Sequence, residues 1–472
     1  MKKKSDKVLI LFVIILAFAI LSWFIPQGTF SYGVYTAVES PIRAGIFDIF
    51  VDLFLAIYYN YTDILYILVV GGCYGVLSKT KSYRKLVDKT ANLIKGKEMI
   101  AMGVTTLIVS LITSFTDQLL LMFVAVPFIS TVFMRNGYDR LTALFASFGG
   151  IFVGFIGQTF GYFGIDYLKQ VTALTPSYLI GWKFGIYVIA LVLFNVFAML
   201  HMKKHSNVDE TEYDLFSTEE LQEKVTKGKK ATKIWPIVTV FVITLIILVM
   251  GHISWTESFN VTAFTNGYSK FTESFKVADV PVFSTLLGSQ MQAFGKWENL
   301  IVASFVTMCA TIIISLIDKM KFGDFVLRFE VGIKKVLRLA IVFGLVQTVY
   351  VMSRNFQWVD TIINKLLGSG SFNILTLMII SFVATLFTVQ PGYGNYIYGA
   401  YLANAFTDKL AISALVWHVG QGFALLLAPT SLILFMALSY YDITYKKYLS
   451  GIWKFALCLF GATLFVFIVQ VL

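Results

Sequence analysis

The chain contains few of the groups on which soluble enzymes depend. Only 14% of its residues are charged, it has three cysteines and four histidines, and it contains no P-loop, HExxH or GxSxG motif. The cysteines lie in apolar runs without CxxC spacing, and the histidines are scattered, which argues against a dedicated metal site. These absences predict no catalytic residue, no bound cofactor and no ATP-driven pump.

Apolar residues dominate the composition. The chain is 57% hydrophobic and 16% aromatic, with a mean hydropathy of +0.77, which is typical of an all-α polytopic membrane protein. Its formal net charge is +11. The lysines and arginines lie between the apolar runs, where membrane orientation requires them, so the charge does not indicate nucleic-acid binding.

Several apolar runs have the roughly 17 to 25 residues that a membrane crossing needs. They are residues 8–25, 61–79, 178–200, 234–252, 301–317, 411–437 and 452–471. The first run follows "MKKKSDK" and resembles a signal peptide, but it lacks a small-x-small cleavage site. We therefore interpret it as an uncleaved first span with a cytoplasmic N-terminus in the cell membrane.

Two further segments predict re-entrant hairpins. Residues 98–134 form two short apolar arms around "TSFTDQ", and both flanks are basic, which favours a hairpin that enters from the cytoplasm. Residues 372–406 form two arms around "QPGYGN". The basic loop 201–233 and a basic amphipathic surface helix at 319–338 place 253–300 outside, and a crossing over 340–366 then makes the second hairpin enter from outside.

Each hairpin precedes an apolar segment that polar residues interrupt. "GQTFGYFG" (Gly157 to Gly164) interrupts residues 141–169, while "HVGQG" (His418 to Gly422) and "PTS" (Pro429 to Ser431) interrupt 411–437. A hairpin followed by a broken helix, used twice in opposite orientations, indicates the inverted repeats of secondary transporters. The four breaks are expected to converge on one cavity.

The polar residues at these breaks are the candidate site. The candidate substrate- or ion-binding residues are Ser114, Thr116, Asp117, Gln118, Gln158, Thr159, Gln390, Gly392, Tyr393, Gly394, Asn395, His418, Gly420, Gln421, Gly422, Thr430 and Ser431. Asp117 either contacts a cation, proton or substrate amine at membrane depth, or is hydrated in a shallow loop. His418 is either a proton relay or a partner of a backbone carbonyl. Arg354 and Asp360 either pair with each other or with substrate, or Arg354 extends to the membrane interface.

Five segments carry a resemblance to a known family. They are "PQGTFSYG", "GGCYGVLSKTKSYRKLVDK", "GYDRLTALFASFGGIFVGFIG", "VDTIINKLL" and "GQGFALLLAPTSLILFMAL". In this order they resemble the YfcC-type members of the C4-dicarboxylate anaerobic carrier family, in the ion transporter superfamily. The resemblance implies a homodimeric secondary carrier with scaffold and transport domains, an elevator-like motion and Na⁺ or H⁺ coupling, including a possible Na⁺ site near Asp117 and Gln158.

The sequence departs from the family pattern at each of the four breaks. The first tip has only Asp117 where relatives carry an acidic pair, and Gly161-Tyr-Phe replaces Asn-Pro-Phe. The second tip has Pro-Gly-Tyr-Gly-Asn (391–395) instead of Ser-Gly-Ser-Gly-Gln, and Gln421 stands where relatives have Asp. These losses of carboxylates and hydroxyls predict a changed substrate or a weaker Na⁺ dependence.

We therefore expect a carrier of a small charged metabolite, either a dicarboxylate or an amino acid. The alternatives are a basic amino acid or short-peptide exchanger of the same fold, a membrane-embedded enzyme or lipid-handling scaffold, and a passive channel. The expected divisions are 1–98 (scaffold spans), 99–200 (first repeat), 201–233 (loop), 234–371 (scaffold with loop 253–300 and arm 319–338), 372–437 (second repeat) and 438–472 (last span).

Overall fold

A computed structural model describes residues 6–161, 174–217, 233–288, 291–368 and 372–472, and these parts of the chain are mostly helical. The first part contains α1 (Asp6–Leu21), β1 (Gly28–Ser31), β2 (Val34–Ala37), α2 (Ile46–Tyr59), α3 (Tyr61–Leu77), α4 (Lys81–Ile94), α5 (Glu98–Thr116), α6 (Val126–Arg135) and α7 (Arg140–Ile156). A short 3-10 helix, Leu121–Val124, connects α5 to α6.

The remaining elements continue this pattern. They are α8 (Ile180–Lys204), α9 (Trp235–His252), α10 (Trp255–Phe259), α11 (Ala263–Glu273), β3 (Lys276–Val277), β4 (Val280–Pro281), α12 (Val282–Leu287), α13 (Ile301–Ile317), α14 (Phe322–Phe356), α15 (Trp358–Leu367), α16 (Ile374–Thr388), α17 (Pro391–Ala405), α18 (Leu410–Leu427), α19 (Leu432–Tyr440) and α20 (Tyr445–Val471). Short 3-10 helices lie at Thr211–Tyr213 and Thr407–Lys409.

Six helical stretches in the described residues are long and apolar enough to cross a membrane, or seven if the bent pair α2 and α3 forms one span. They confirm a multi-pass membrane protein. One of the six is α5, which has 19 residues. The expectation that both arms of the first hairpin are short for a crossing is therefore wrong for α5, although it holds for the ten residues of α6.

Two other expectations about helix continuity are wrong. The amphipathic arm 319–338 and the crossing 340–366 are not separate. Helix α14, with 35 residues, contains most of the arm and continues into the crossing as far as Phe356. No Gly-Pro pair, which would end a helix, lies between the basic part and the apolar part of α14. The predicted interruption at His418 to Gly422 is absent, since α18 is regular through these residues, and the chain breaks only between Leu427 and Leu432.

The two ends of the helical bundle are held by different contacts. At one end, Asp442 Oδ1 lies 3.2 Å from Lys7 Nζ and 3.5 Å from Arg338 Nη1, and the Asp442 carbonyl accepts a 3.0 Å hydrogen bond from Arg140. We call this end the Asp442 face.

At the other end, the antiparallel hairpin of β1 and β2 covers α15 and α17. Tyr35 Oη lies 2.8 Å from Thr361 Oγ1, and Asn404 Nδ2 donates to the Tyr32 carbonyl at 3.3 Å. We call this end the hairpin face. Helix α1 leads from Lys7 on the Asp442 face to the hairpin, and the second half of α14 leads from Arg338 to Gln357, whose carbonyl accepts from the Gly28 amide. The two faces therefore lie at opposite ends of the bundle.

Helices α3 and α14 approach each other backbone to backbone. A Cβ atom added to Gly332 would lie 2.2 Å from the Gly71 carbonyl oxygen, and one added to Gly75 would lie 2.6 Å from Gly332 Cα. Small residues at helix crossings in membranes allow this distance, and the contact gains van der Waals packing that larger residues would prevent. The crossing fixes α3, whose first turn borders the site described below.

Candidate functional site

The first hairpin tip is formed where α5 ends. Asp117 caps the helix in the left-handed conformation, with φ 57°. Ser114, in the last turn, binds the chain that leaves α7. Its hydroxyl donates to the Gly157 carbonyl at 2.9 Å, and its carbonyl accepts from the amides of Thr159 and Gly161 at 3.2 and 3.1 Å. The C-terminal ends of α5 and α7 are therefore side by side.

The chain after α7 lies directly against Asp117. A Cβ atom on Gly161 would be 2.7 Å from Asp117 Cβ and 2.3 Å from Gln158 Nε2, so only glycine fits there. Gln158 is 2% exposed and Thr159 is 3% exposed. Gln158 Nε2 has no hydrogen-bond partner among the described residues. The rest of the predicted "GQTFGYFG" break, Tyr162 to Gly164, lies outside the described residues.

A buried lysine that the sequence reasoning missed lies behind this tip. Lys183, near the start of α8, is 2% exposed. Its Nζ donates to the carbonyls of Pro176 at 2.9 Å and Thr159 at 3.4 Å, and lies 3.9 Å from the centre of the Tyr178 ring. Its signal in the sequence is a single cation in the apolar run "IGWKFGIYV".

The second hairpin tip is formed between α16 and α17. Val389 has φ 62° and ψ −45°, a conformation that β-branched residues rarely adopt, and the Gln390 amide donates back to the Thr388 carbonyl. Pro391 then starts α17, where its missing N–H is tolerated. The tip therefore presents the N-terminal end of α17.

Buried amides hold the second tip in place. Gln421 Nε2 donates to the Pro391 carbonyl and to Asn395 Oδ1, both at 3.0 Å, and Trp417 Nε1 donates to the same Asn395 oxygen at 3.1 Å. Gly394 packs against Gln421 and Thr388, where a Cβ would lie 3.1 Å from Gln421 Nε2. Gln421 thus joins α18 to the first turn of α17.

Both tips border one cavity of about 340 Å³. Its lining consists of Tyr59, Asn60, Thr62, Asp63, Asp117, Gln118, Leu119, Leu120, Phe155, Glu298, Asn299, Leu300, Val389, Gln390, Pro391, Gly392, Tyr393 and Leu432. Three of these side chains are carboxylates, and none of the described lining residues is Lys, Arg or His. The sequence reasoning did not single out Asp63, which lies in the first turn of α3 next to the break after α2.

The predicted site residues divide into three groups by position. Those lining the cavity are Asp117, Gln118, Gln390, Gly392 and Tyr393. Those in the wall behind the two tips are Ser114, Thr116, Gln158, Thr159, Gly394, Asn395 and Gln421. Those engaged in helix packing or capping are His418, Gly420, Gly422, Thr430 and Ser431.

The third group has structural partners. His418 Nε2 donates to the Phe155 carbonyl at 2.7 Å, which is the simpler of its two interpretations. Thr430 Oγ1 donates to the Leu386 carbonyl at 2.6 Å, and the Ser431 hydroxyl caps α19. Arg354 and Asp360 pair with each other at 3.3 Å, and Asp360 also accepts from Tyr398 at 2.8 Å.

The described residues contain no group of three or more His, Cys, Asp or Glu side chains that could hold a metal ion. Cation-binding groups at the site are instead single carboxylates and the carbonyls at the ends of α5 and α7, which carry partial negative charge. Anion-binding groups are the first amides of α17. The arrangement can bind a small molecule that carries both charges.

Comparison with solved structures gives two transporters. The chain is similar to the YdaH transporter of Alcanivorax borkumensis, with 12% identity over 98% of both chains and a TM-score of 0.43. It is also similar to Neisseria gonorrhoeae MtrF, whose structure represents a class of antimetabolite efflux pumps. The identity is 11% over 99% of this chain and 95% of that one, and the TM-score is 0.42. Both TM-scores are low.

No curated protein matches the chain. The match to a family is nearly complete, because residues 5–472 match the C4-dicarboxylate anaerobic carrier family. This family consists of carriers, so the expectation that the protein is not an enzyme is confirmed, together with the resemblance found in the sequence. The chain belongs to the C4-dicarboxylate anaerobic carrier family.

Proposed function

We propose that this carrier moves an amino acid, with basic amino acids as the favoured class, across the cell membrane by secondary transport. The observation that carries the proposal is the charge of the cavity between the two tips. Asp63, Asp117 and Glu298 line it, and no cationic side chain does among the described lining residues. A substrate with one or two ammonium groups compensates these carboxylates, because opposite charges within a few ångströms favour each other.

The carboxylate of the substrate has a separate place at α17. The first amides of a helix lack intrahelical acceptors, and the helix dipole adds partial positive charge there. Gly392 and Tyr393 are in this first turn and line the cavity. Discontinuous helices in secondary transporters present such N-termini to the anionic group of the substrate. An amino acid therefore spans from α17 to Asp63 and Asp117.

A C4-dicarboxylate is the second candidate, and the family's name supports it. One carboxylate would fit at α17 in the same way. The other would face the three carboxylates of the cavity, which disfavours its charged form. We place dicarboxylates second for this reason.

The proposed mechanism is an elevator-like motion of two inverted repeats, 99–200 and 372–437, against scaffold spans at 1–98 and 234–371. Contacts at the ends of the hairpins support the opposite orientations. Arg135, at the end of α6, pairs with Asp88 of α4, which directly precedes α5 and lies towards the Asp442 face. In the second helical hairpin, the rings of Phe372 and Phe406 lie 5.7 Å apart. They are close in the chain to Asn404, which contacts the β1–β2 hairpin and so belongs to the hairpin face.

We further propose that the Asp442 face is cytoplasmic, which places the N-terminus inside. Lys7, Arg140 and Arg338 meet there, and cytoplasmic loops carry an excess of Lys and Arg. The carrier is also proposed to act as a homodimer. We expect coupling to Na⁺ or H⁺.

The test measures the thermal unfolding of the purified full-length protein with lysine, arginine, neutral amino acids, succinate and malate. A ligand at about 100 times its dissociation constant stabilises by roughly 2.7 kcal/mol. We expect the largest shift with lysine or arginine, followed by saturable counterflow of the same compound in proteoliposomes. Saturation excludes a passive channel.

Two Asp→Asn variants, one in the cavity and one at an exposed position, serve as the test and its control. Asp63→Asn should remove the ligand-induced shift, whereas Asp408→Asn, at an exposed position between α17 and α18, should retain it. A shift with succinate or malate but not with basic amino acids would replace the proposal by the second candidate. No shift with any of these compounds would contradict both.

A further inference from the structure

The position of Lys183 behind the first tip is unusual for a lysine in a candidate membrane span. It lies in α8 with its side chain buried. Ionisable groups inside membranes are costly, so those that persist have partners and a function. Lysines near helix ends usually extend to the interface instead.

The partners of Lys183 belong to the site. Thr159, whose carbonyl accepts from Nζ, is part of the break after α7. Ser114 at the end of α5 holds that break through five hydrogen bonds. Gly161, two residues after Thr159, packs against Asp117, so the same short stretch of chain contacts both Lys183 and Asp117. Asp117 lines the cavity, whereas Lys183 does not.

We propose that the Lys183 ammonium is the fixed cation of the first tip and takes the place of a coupling Na⁺. A cation is expected there, because the carbonyl ends of α5 and α7 meet beside a carboxylate. The inference rests on the proposed function only in treating the first tip as part of the transport site.

Among the described residues, Lys183 already binds the carbonyls that a second cation would need. Within the wall behind the tip, the described residues supply one carboxylate, Asp117, and one ammonium. The ammonium has three donors, and two of them already bind the carbonyls of Pro176 and Thr159. A Na⁺ bound to the same carbonyls would lie next to a like charge at a buried position. The other carboxylates, Asp63 and Glu298, lie across the cavity and remain available to substrate.

The experiment uses the purified full-length protein without substrate. Its thermal unfolding midpoint is measured in sodium chloride and in choline chloride at equal ionic strength. We expect the wild-type midpoint to be the same in both salts. Lys183→Met should unfold at a lower temperature in choline and recover most of that loss in Na⁺, because the vacated carbonyls and Asp117 then bind the ion. A saturable rise of the wild-type midpoint with Na⁺ would overturn the proposal.

Two variants separate this role from simple structural support. Lys183→Arg keeps the charge and should remain insensitive to Na⁺, while Lys270→Met, at an exposed position in α11, should behave as wild type in both salts. If Lys183→Met loses stability equally in both salts, the lysine is only a structural tie and the proposal is wrong. If that variant does not fold, the wild-type measurement still decides.

Failure of this inference and failure of the proposed function give different results. The salt experiment contains no substrate, so a wrong substrate class leaves its outcome unchanged. Conversely, a wild-type protein that is stabilised both by Na⁺ and by lysine or arginine would retain the proposed function and reject the role of Lys183.

Discussion

The two hairpin tips meet at one cavity but are built from different chemistry. The first places the carbonyl ends of α5 and α7 beside Asp117, with the Lys183 ammonium behind them. The second places the amide end of α17 at the cavity and holds it with the neutral side chains of Gln421 and Asn395. The first tip is thus organised by charge, and the second by hydrogen bonds between uncharged groups.

Both tips share a strained backbone. Asp117 has φ 57° and Val389 has φ 62°, and such conformations cost roughly 1–3 kcal/mol each when a residue other than glycine adopts them. Asp tolerates this conformation better than Val. The contacts of Ser114 at the first tip and of Gln421 at the second supply the stabilisation that keeps the turns closed. We therefore expect a loss of charge at the first tip to affect transport, and a loss of packing at the second tip to affect stability.

The largest expected effect comes from Asp117→Asn. Asp117 lines the cavity. Losing its charge removes the proposed partner of the substrate ammonium, so we expect uptake of the substrate identified by thermal shift to fall by about 100-fold or more, which corresponds to roughly 2.7 kcal/mol. The protein should remain folded and monodisperse on size exclusion. The measurement is initial uptake into proteoliposomes at equal protein content.

The control for this prediction is the double variant Asp117→Asn with Lys183→Met. Because the second change removes the remaining charge, the double variant should be more stable than Asp117→Asn alone, with a coupling of about 1–3 kcal/mol. If Asp117→Asn takes up substrate at the wild-type rate, Asp117 is not part of the site and the proposed difference between the tips is wrong.

A smaller effect is expected from Gln421→Leu at the second tip. The change removes donors from the Pro391 carbonyl and from Asn395, which keeps its bond from Trp417, and buried groups without partners cost about 1–3 kcal/mol. We expect a lower unfolding midpoint and an unchanged response to Na⁺. Gln292→Leu, at an exposed position, is the matched control. A new Na⁺ dependence in Gln421→Leu would show that the second tip also handles charge.

The smallest effect is expected far from both tips, at the start of α7. Asp139 caps this helix by accepting from the Thr142 amide at 2.9 Å, and replacing such a cap by alanine costs about 1 kcal/mol. Burial opposes ionisation, but the nearby His201 ring and the hydrogen bonds from Thr142 prevail and lower the pKa of Asp139 from 3.8 to about 2. Asp139→Ala should leave uptake and the response to Na⁺ unchanged.

The pH dependence of this cap has a defined sign. Since the folded pKa lies below the ordinary value, the stabilisation is fully present above about pH 4 and is lost as the pH falls towards 2. The difference in unfolding midpoint between wild type and Asp139→Ala should therefore be constant at neutral pH and decrease in acid. A difference that grows in acid would contradict the assignment.

The tips could be located from the sequence because breaks in apolar runs are rare and each break has a physical cause. Asp117 is a charge in such a run, and Pro391 and Gly392 interrupt another, so both were predicted to border a shared cavity. Whether they bind substrate stays a prediction. The break at His418 to Gly422 was predicted wrongly, because Gly420 and Gly422 provide close packing against Ser381 and Ile156 and do not end the helix.

Other features depend on contacts between distant parts of the chain. Lys183 stands near the start of a span, where the sequence pattern equally indicates a lysine that extends to the interface. Only the fold places it beside Thr159, in the break that packs against Asp117. Asp63 likewise stands at the start of a span, and its position in the cavity depends on the bend between α2 and α3.

The glycine crossing of α3 and α14 also has a consequence for synthesis. Gly71 and Gly75 are made early, and Gly332 follows about 260 residues later, which at cellular rates of translation is roughly 10 to 50 s. During this time the glycine groove of α3 is open, and lipid tails or an insertion chaperone must fill it. The nascent protein therefore reaches its native helix packing only when the second half of the chain arrives.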